Sequence, residues 1–257
     1  MDLLGFGITQ LVTFLLVLAR VGGIFTVGPV FANANVNRTV RLAIAVALAF
    51  VFLPLAKYDA GKLDVLSFFG AIIKETLVGL LMGYLASMMF SAIQMAGSYI
   101  DLAMGLGFAS QVDPMSKERS AVMGQLQNMI ATLIFLGING HHIMIRGLAD
   151  SFAVLPIGKM IMTPEAAGGM LGIFATVILA ALKIASPVIG VIFITDISLG
   201  ILARTVPQLN IFSVGFPVKL MVGLLVVIVI LPATAAVMIA LFSGLHRDII
   251  MLLRHLM

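Results

Sequence analysis

The sequence predicts an all-α membrane protein of about six hydrophobic helical segments, some of them broken. Three observations carry this. Of 257 residues, 61% are hydrophobic and only 10% are charged, against roughly 25% charged in an ordinary soluble domain. The mean hydropathy is +1.19, and a soluble chain of this length has too little interior to hide that much apolar surface. The charges also fall between long charge-free stretches, several of them close to the roughly 20 residues that cross a hydrocarbon core. These facts exclude a cytosolic enzyme, a secreted disulfide scaffold and a disordered linker. There is no cysteine, hence no disulfide, thiolate metal site or cysteine nucleophile. With no tryptophan, an interfacial aromatic belt rests on three Tyr and 17 Phe. A net charge of +4, spread over loops, fits membrane-flanking cations better than a nucleic-acid patch.

The segments, in order, are Leu3–Ala19, Leu42–Ala56, Thr76–Ile100, Ser120–Ile145, Ala166–Leu182, Ile184–Thr195 and Leu220–His246. The first follows Asp2 and stops at Arg20, with neither a basic cluster before it nor a small-x-small cleavage site after it, so it reads as part of the mature protein. Thr76–Ile100 is opened by Lys74–Glu75 and closed by Asp101. Ala166–Leu182 and Ile184–Thr195 are separated only by Lys183 and interrupted by Pro187, and 196–219 is mostly apolar but holds Asp196, Arg204, Pro207, Pro217 and Lys219. Such stretches suit broken or re-entrant helices packed in protein. Strand alternation is nowhere sustained. Loops are expected at 20–41, 57–64, 105–119, 146–165 and 203–219. The first holds Arg20, Arg38 and Arg41 with no acid, which places it on the cytoplasmic side. Two stripes of small residues at helical spacing, Gly79/Gly83/Ser87/Ser91 and Gly168/Gly172/Thr176/Ala180, offer faces for close helix approach.

A charge at mid-bilayer costs about 2.5–3.5 kcal/mol on insertion scales and so calls for a partner or water. Lys74, Glu75, Asp101, Lys183, Asp196, Arg204 and Lys219 are therefore expected in polar contacts between helices, within the chain or across a subunit boundary. The competing reading is an ion-coupled secondary transporter with Glu75, Asp101 and Asp196 as carriers. Mixed, nearly balanced signs favour the contacts, because a relay would show acids or His on one face. His141–His142 follows Asn139–Gly140; adjacent side chains point about 100° apart on a helix, so helix capping suits them better than a shared metal. No phosphate-binding glycine loop and no G-x-S-x-G occurs. Nothing points to catalysis or a cofactor.

The most informative stretch is 97–114, Gly-Ser-Tyr-Ile-Asp-Leu-Ala-Met-Gly-Leu-Gly-Phe-Ala-Ser-Gln-Val-Asp-Pro. Gly105 and Gly107 disfavour a continuous helix, and Pro114 biases Asp113 away from helical backbone. An apolar loop cannot comfortably face water or bare lipid. It reads equally as a buried structural turn and as a gate.

Residues 97–114 resemble the signature of the FliR family of flagellar type III export-gate proteins. Residues 137–158, with Asn-Gly-His, Ser-Phe and Leu-Pro-x-Gly, match a second pattern of that family. Residues 186–220, centred on Arg-x-x-Pro-Gln-Leu-Asn and Gly-Phe-Pro, match a third. The N-terminal run from Ala19 to Pro54 also fits, apart from Asn37 where the family often has proline before Arg38. The resemblance covers nearly the whole chain in order.

It implies a structural and gating subunit of the flagellar export channel in the bacterial inner membrane, at the flagellar basal body. The virulence type III counterpart is the near alternative. It implies helical hairpins within a multi-subunit conical assembly with FliP and FliQ, contacts with FlhB and FlhA, and transient passage of exported flagellar proteins. It implies a FliP-like part over 1–190 and a FliQ-like part over 190–257, within a single FliR-like unit. It also implies that Gly105, Leu106, Gly107, Phe108, Ala109, Ser110, Gln111, Val112, Asp113 and Pro114 plug the pore. Phe108 would be the apolar stopper, Gly105 and Gly107 would give mobility, and Asp113–Pro114 would fix the turn leaving the plug. A channel wide enough for an unfolded polypeptide leaks ions unless such a loop excludes water.

Overall fold

The computed structural model describes residues 3–29, 31–32, 36–56, 58, 65–106, 121–161, 163–208 and 210–257. Among them there is no strand. The helices are α1 (Leu3–Val27), α2 (Arg38–Phe52) with a 3-10 turn at Leu53–Leu55, α3 (Val65–Met104), α4 (Val122–Gly137), α5 (Gly140–Val154), α6 (Pro164–Thr205), α7 (Ile211–Ser243) and α8 (Leu245–His255). Among the described residues, five helical stretches are long and apolar enough to cross a membrane, and a sixth is added if α4 and α5, bent by 64° at their junction, form one broken span. The protein is an all-α membrane protein, as its composition predicts.

Several helix ends differ from the expected ones, for identifiable reasons. The loop expected from residue 20 begins only after Val27, because Arg20 is charged but fully buried inside α1. The loop expected from 146 is helical to Val154. Arg146 and Asp150 both lie on the exposed side of α5, where a charge need not end a helix. The break expected at Pro187 is absent: α6 runs 42 residues through Lys183 and Pro187. A proline removes one backbone donor, and in apolar surroundings the remaining groups stay paired along the helix. A break falls instead at Asn139–Gly140, inside the charge-free stretch Ser120–Ile145 and beside the histidines expected at a helix end. Asn139 sits in left-handed backbone at φ 57°, a conformation asparagine tolerates better than most residues. The expected 203–219 loop shrinks to a turn, because α7 starts at Ile211 and contains Pro217. Asn210 begins that helix by accepting from the Ser213 amide at 3.4 Å.

At α2, Asn37 accepts from the Thr39 amide at 3.0 Å and caps the helix. Its φ of −56° is one that proline also takes, so the departure from the family's proline leaves the helix start intact.

The chain forms two spatial units. The first comprises Met1–Met88, Asn139–Phe174 and Phe242–Met257. Here α1 meets α3 backbone to backbone. A Cβ on Gly23 would come within 2.7 Å of Thr76 O and Leu80 N, Gly79 lies against the Arg20 carbonyl, and a Cβ on Gly83 would be 3.0 Å from Ile24 O. The Gly79/Gly83 stripe is thus used within the chain. Around this crossing Leu16, Val17, Val21 and Ile24 are buried, at spacings that share one helix face. α8 places Leu245, Ile249, Leu252 and Leu253 inward and packs on α5; a Cβ on Gly147 would be 3.2 Å from Ile249 Cδ1.

The second unit comprises Met89–Ile138 and Ala175–Leu241. Gly97 of α3 touches the backbone of Gly124 in α4, and Phe90 meets Phe135 edge to face at 5.4 Å. In α7, Gly223 makes room for Met104. Leu225, Ile228 and Val229 of α7 are exposed, at 60%, 67% and 77%. An apolar surface of this extent on neighbouring positions belongs against lipid or another chain.

Candidate functional site

Two polar constellations stand out in the apolar background. The first lies in the first unit. Arg20 and Glu75 are both 0% exposed, and Arg20 Nε donates to Glu75 Oε2 at 2.6 Å. The guanidinium also donates through Nη1 to Ser151 Oγ at 3.1 Å and through Nη2 to the Leu155 carbonyl at 3.0 Å. Its carbon lies 4.6 Å from the Phe152 ring centroid. Ser151 Oγ itself donates to the Leu148 carbonyl at 2.6 Å. The other Glu75 oxygen accepts from the Gly158 amide at 2.9 Å. Gly158 has φ 77°, which a side chain would strain.

Two opposite charges with their main hydrogen-bonding directions filled can persist in such an interior; either one alone could not. The node fastens α1, α3 and α5 to the turn after α5. It contains no nucleophile beside a base, because the Ser151 hydroxyl is held by Arg20 on one side and Leu148 on the other.

The second constellation lies in the second unit. Both oxygens of Asp101, near the end of α3, accept from the Met123 amide at 3.1 Å, and Oδ2 accepts from Gly124 N at 3.4 Å. Asp101 therefore satisfies amides in the first turn of α4. The chain leaves α3 through Gly105, at φ 83°, whose amide donates to Leu102 O at 3.2 Å, while Leu106 N donates to Asp101 O at 2.9 Å. This pair of bonds is a glycine-terminated helix end. Residues 107–114 of the expected plug lie outside the described residues.

The remaining expected contacts divide in two. Asp196 of α6 and Lys219 of α7 form an ion pair with half-exposed side chains. Lys74, Lys183 and Arg204 are exposed, and Arg204 sits in the last turn of α6, where a cation suits the helix dipole. Of the three carriers a relay would need, Glu75 pairs with Arg20, Asp101 holds α4, and Asp196 pairs with Lys219. His141 and His142 have ring centroids 4.2 Å apart. Among the described residues no group of three or more His, Asp or Glu could hold a metal.

Charge spacing alone groups Arg20 with the loop cations and does not reveal it as a buried member of the node. A signal was present in the 137–158 pattern. Its Ser-Phe supplies Ser151 and Phe152, and its Leu-Pro-x-Gly supplies the Leu155 carbonyl and the Gly158 amide. Each of those four residues contacts the ion pair.

Residues 11–245 match the model of the family described as bacterial export proteins, family 1. A flagellar biosynthetic protein FliR from Bacillus subtilis (strain 168) is 34% identical over 238 residues, covering 90% of each chain. The Escherichia coli (strain K12) protein of that name is 33% identical over 232 residues, 90% of this chain and 88% of its own. That of Aquifex aeolicus (strain VF5) is 31% identical over 226 residues, 86% of each. The matched span takes in Arg20, Glu75, Asp101 and the Ser151–Gly158 segment alike, and on that footing the chain belongs to family 1 of the bacterial export proteins.

Proposed function

We propose that this protein is a structural and gating subunit of the flagellar type III protein export channel, needed to move flagellar building blocks across the bacterial inner membrane at the basal body. The observation that carries the reading is the similarity along 90% of the chain to proteins named for flagellar biosynthesis. The exposed apolar faces of α6 and α7, including Phe193, Ile194, Ile201, Ile228 and Val229, support a subunit that completes its packing against other helical chains. Those chains are FliP- and FliQ-type subunits, with FlhB and FlhA as further contacts; exported proteins pass transiently. Residues 105–114 form the pore plug, with Phe108 as stopper and Asp113–Pro114 as the exit turn. Residues 1–190 are the FliP-like part and 190–257 the FliQ-like part, joined within the continuous helix α6. The chain catalyses no reaction and needs no cofactor; the energy for export comes from other components.

The test has two arms. Tagged protein purified from its native membrane should bring down two other small helical membrane proteins. Deleting residues 105–110 should leave that complex intact while raising ion leak in cells, read with a voltage-sensitive dye. A chain that purifies alone would remove the subunit reading, and unchanged leak in the assembled deletion variant would remove the plug.

A further inference from the structure

α4 has no cap of its own. The leading amides of a helix need acceptors, yet Ala121, at the cap position, offers no side-chain oxygen. A serine or aspartate at 121 would do the work locally. The acceptor comes instead from a different helix. Asp101 is only 4% exposed, and it reaches Met123 N with both oxygens and Gly124 N with one. Burying a carboxylate is costly unless it is hydrogen-bonded, and the positive end of α4 offsets that cost. The backbone carbonyl of this same residue accepts the Leu106 amide that ends α3. One turn earlier, Gly97 and Gly124 are in backbone contact; a Cβ on Gly124 would be 3.2 Å from Gln94 O and 3.5 Å from Ser98 Oγ. No side chain fits between the helices there.

From this arrangement we infer that Asp101 is a positioning residue: it locks the last turn of α3 to the first turn of α4, so the chain departs at Leu106 and returns at Ala121 on fixed supports. A local cap would stabilise α4 equally well but would not tie it to α3. The cross-helix carboxylate does both. Gly105 is part of this fixed frame, because its positive φ terminates the helix. The inference rests on the plug reading for its consequence, which is that loosening the frame unseats the seal.

The experiment uses the whole export complex in cells, with ion leak and complex recovery measured for Asp101→Ala, Asp101→Asn, Asp101→Ala with Ala121→Ser, and the 105–110 deletion. Asp101→Ala should leak at least half as much as the deletion. Asp101→Asn keeps an acceptor oxygen and should stay close to the native protein. Adding Ala121→Ser restores a local cap; the complex should be recovered in full while the leak persists. If Ala121→Ser also restores the seal, Asp101 is an ordinary cap and the inference fails. It fails too if the doubly substituted chain does not assemble, since the residue then serves folding alone. A leaking deletion beside a tight Asp101→Ala overturns this inference and leaves the plug standing, whereas no leak in either removes the plug itself.

Discussion

Arg20 stands apart from the other cations. It sits in the middle of α1 with no exposed surface, and its charge is balanced by a glutamate 55 positions away. Removing one member of a buried pair leaves an uncompensated charge, which costs about 3–5 kcal/mol, whereas replacing both by apolar residues of similar volume is often close to neutral. Arg20→Met should therefore sharply lower the thermal midpoint of the purified complex, and Arg20→Met with Glu75→Met should recover most of the loss. Equal loss in the single and double variants would mean that the pair contributes through its hydrogen bonds to Ser151, Leu155 and Gly158. Asn37→Ala removes a cap and should cost about 1 kcal/mol. Asn37→Pro fits the backbone φ of −56° but loses the same acceptor for the Thr39 amide, so it should lower the same thermal midpoint by a similar amount. In sequence Asn37 stands out only as a departure from the family's proline, and its capping bond is visible only in the structure. The role of Arg20 could not be read in sequence either, because its partners are 55, 131 and 135 residues distant, and counting charges treats each one as the end of a hydrophobic segment.

At the scale of elements, the glycines of the two small-residue stripes have different fates. Gly79 and Gly83 face α1 at backbone distance, while a Cβ on Gly168 or Gly172 would meet nothing within 4 Å. Gly79→Ala should displace α1 and destabilise the chain by the amount typical of overpacking, about 1–3 kcal/mol or more. Gly168→Ala should not destabilise the chain and should add roughly 0.5–1 kcal/mol of helix propensity. Limited proteolysis of the two variants side by side would separate these outcomes, and equal susceptibility would count against the α1–α3 crossing. The spacing of both stripes was legible in sequence; which of them the chain itself would cover was not, since that depends on how distant helices cross. Helix type was likewise legible throughout from hydropathy. Helix ends were less so, because Pro187 and Pro217 look like breaks but lie within α6 and α7, and Asn139–Gly140 bends the chain inside a stretch free of formal charge. The candidate frame at 97–106 was visible as a glycine-broken apolar stretch. That Asp101 would bind the amides of α4 depends on a contact 22 residues ahead.

For the whole molecule, the feature that decides behaviour is how much apolar surface the fold leaves uncovered. In the most apolar stretch of Ser213–His255, mean hydropathy is 2.9 and only 11% of the residues are buried within the chain. A fold stabilised by neighbours shifts its equilibrium with their abundance. Produced without the other export components, the protein should be degraded rapidly, and co-expression should prolong its half-life in a pulse-chase measurement. An identical half-life in both backgrounds would mean that lipid alone suffices to cover α6 and α7.

The node around Arg20 also constrains how the protein is made. The arginine and its glutamate emerge from the ribosome early, yet the serine hydroxyl and carbonyl that complete the guanidinium's shell lie 131 and 135 positions after it. Until that later stretch arrives, the nascent N-terminal helices hold a charge pair they cannot fully enclose. Translation therefore has to pass Gly158 before the first unit can shut, and a chain truncated short of that glycine should be an open, protease-accessible fragment instead of a half-sized folded one.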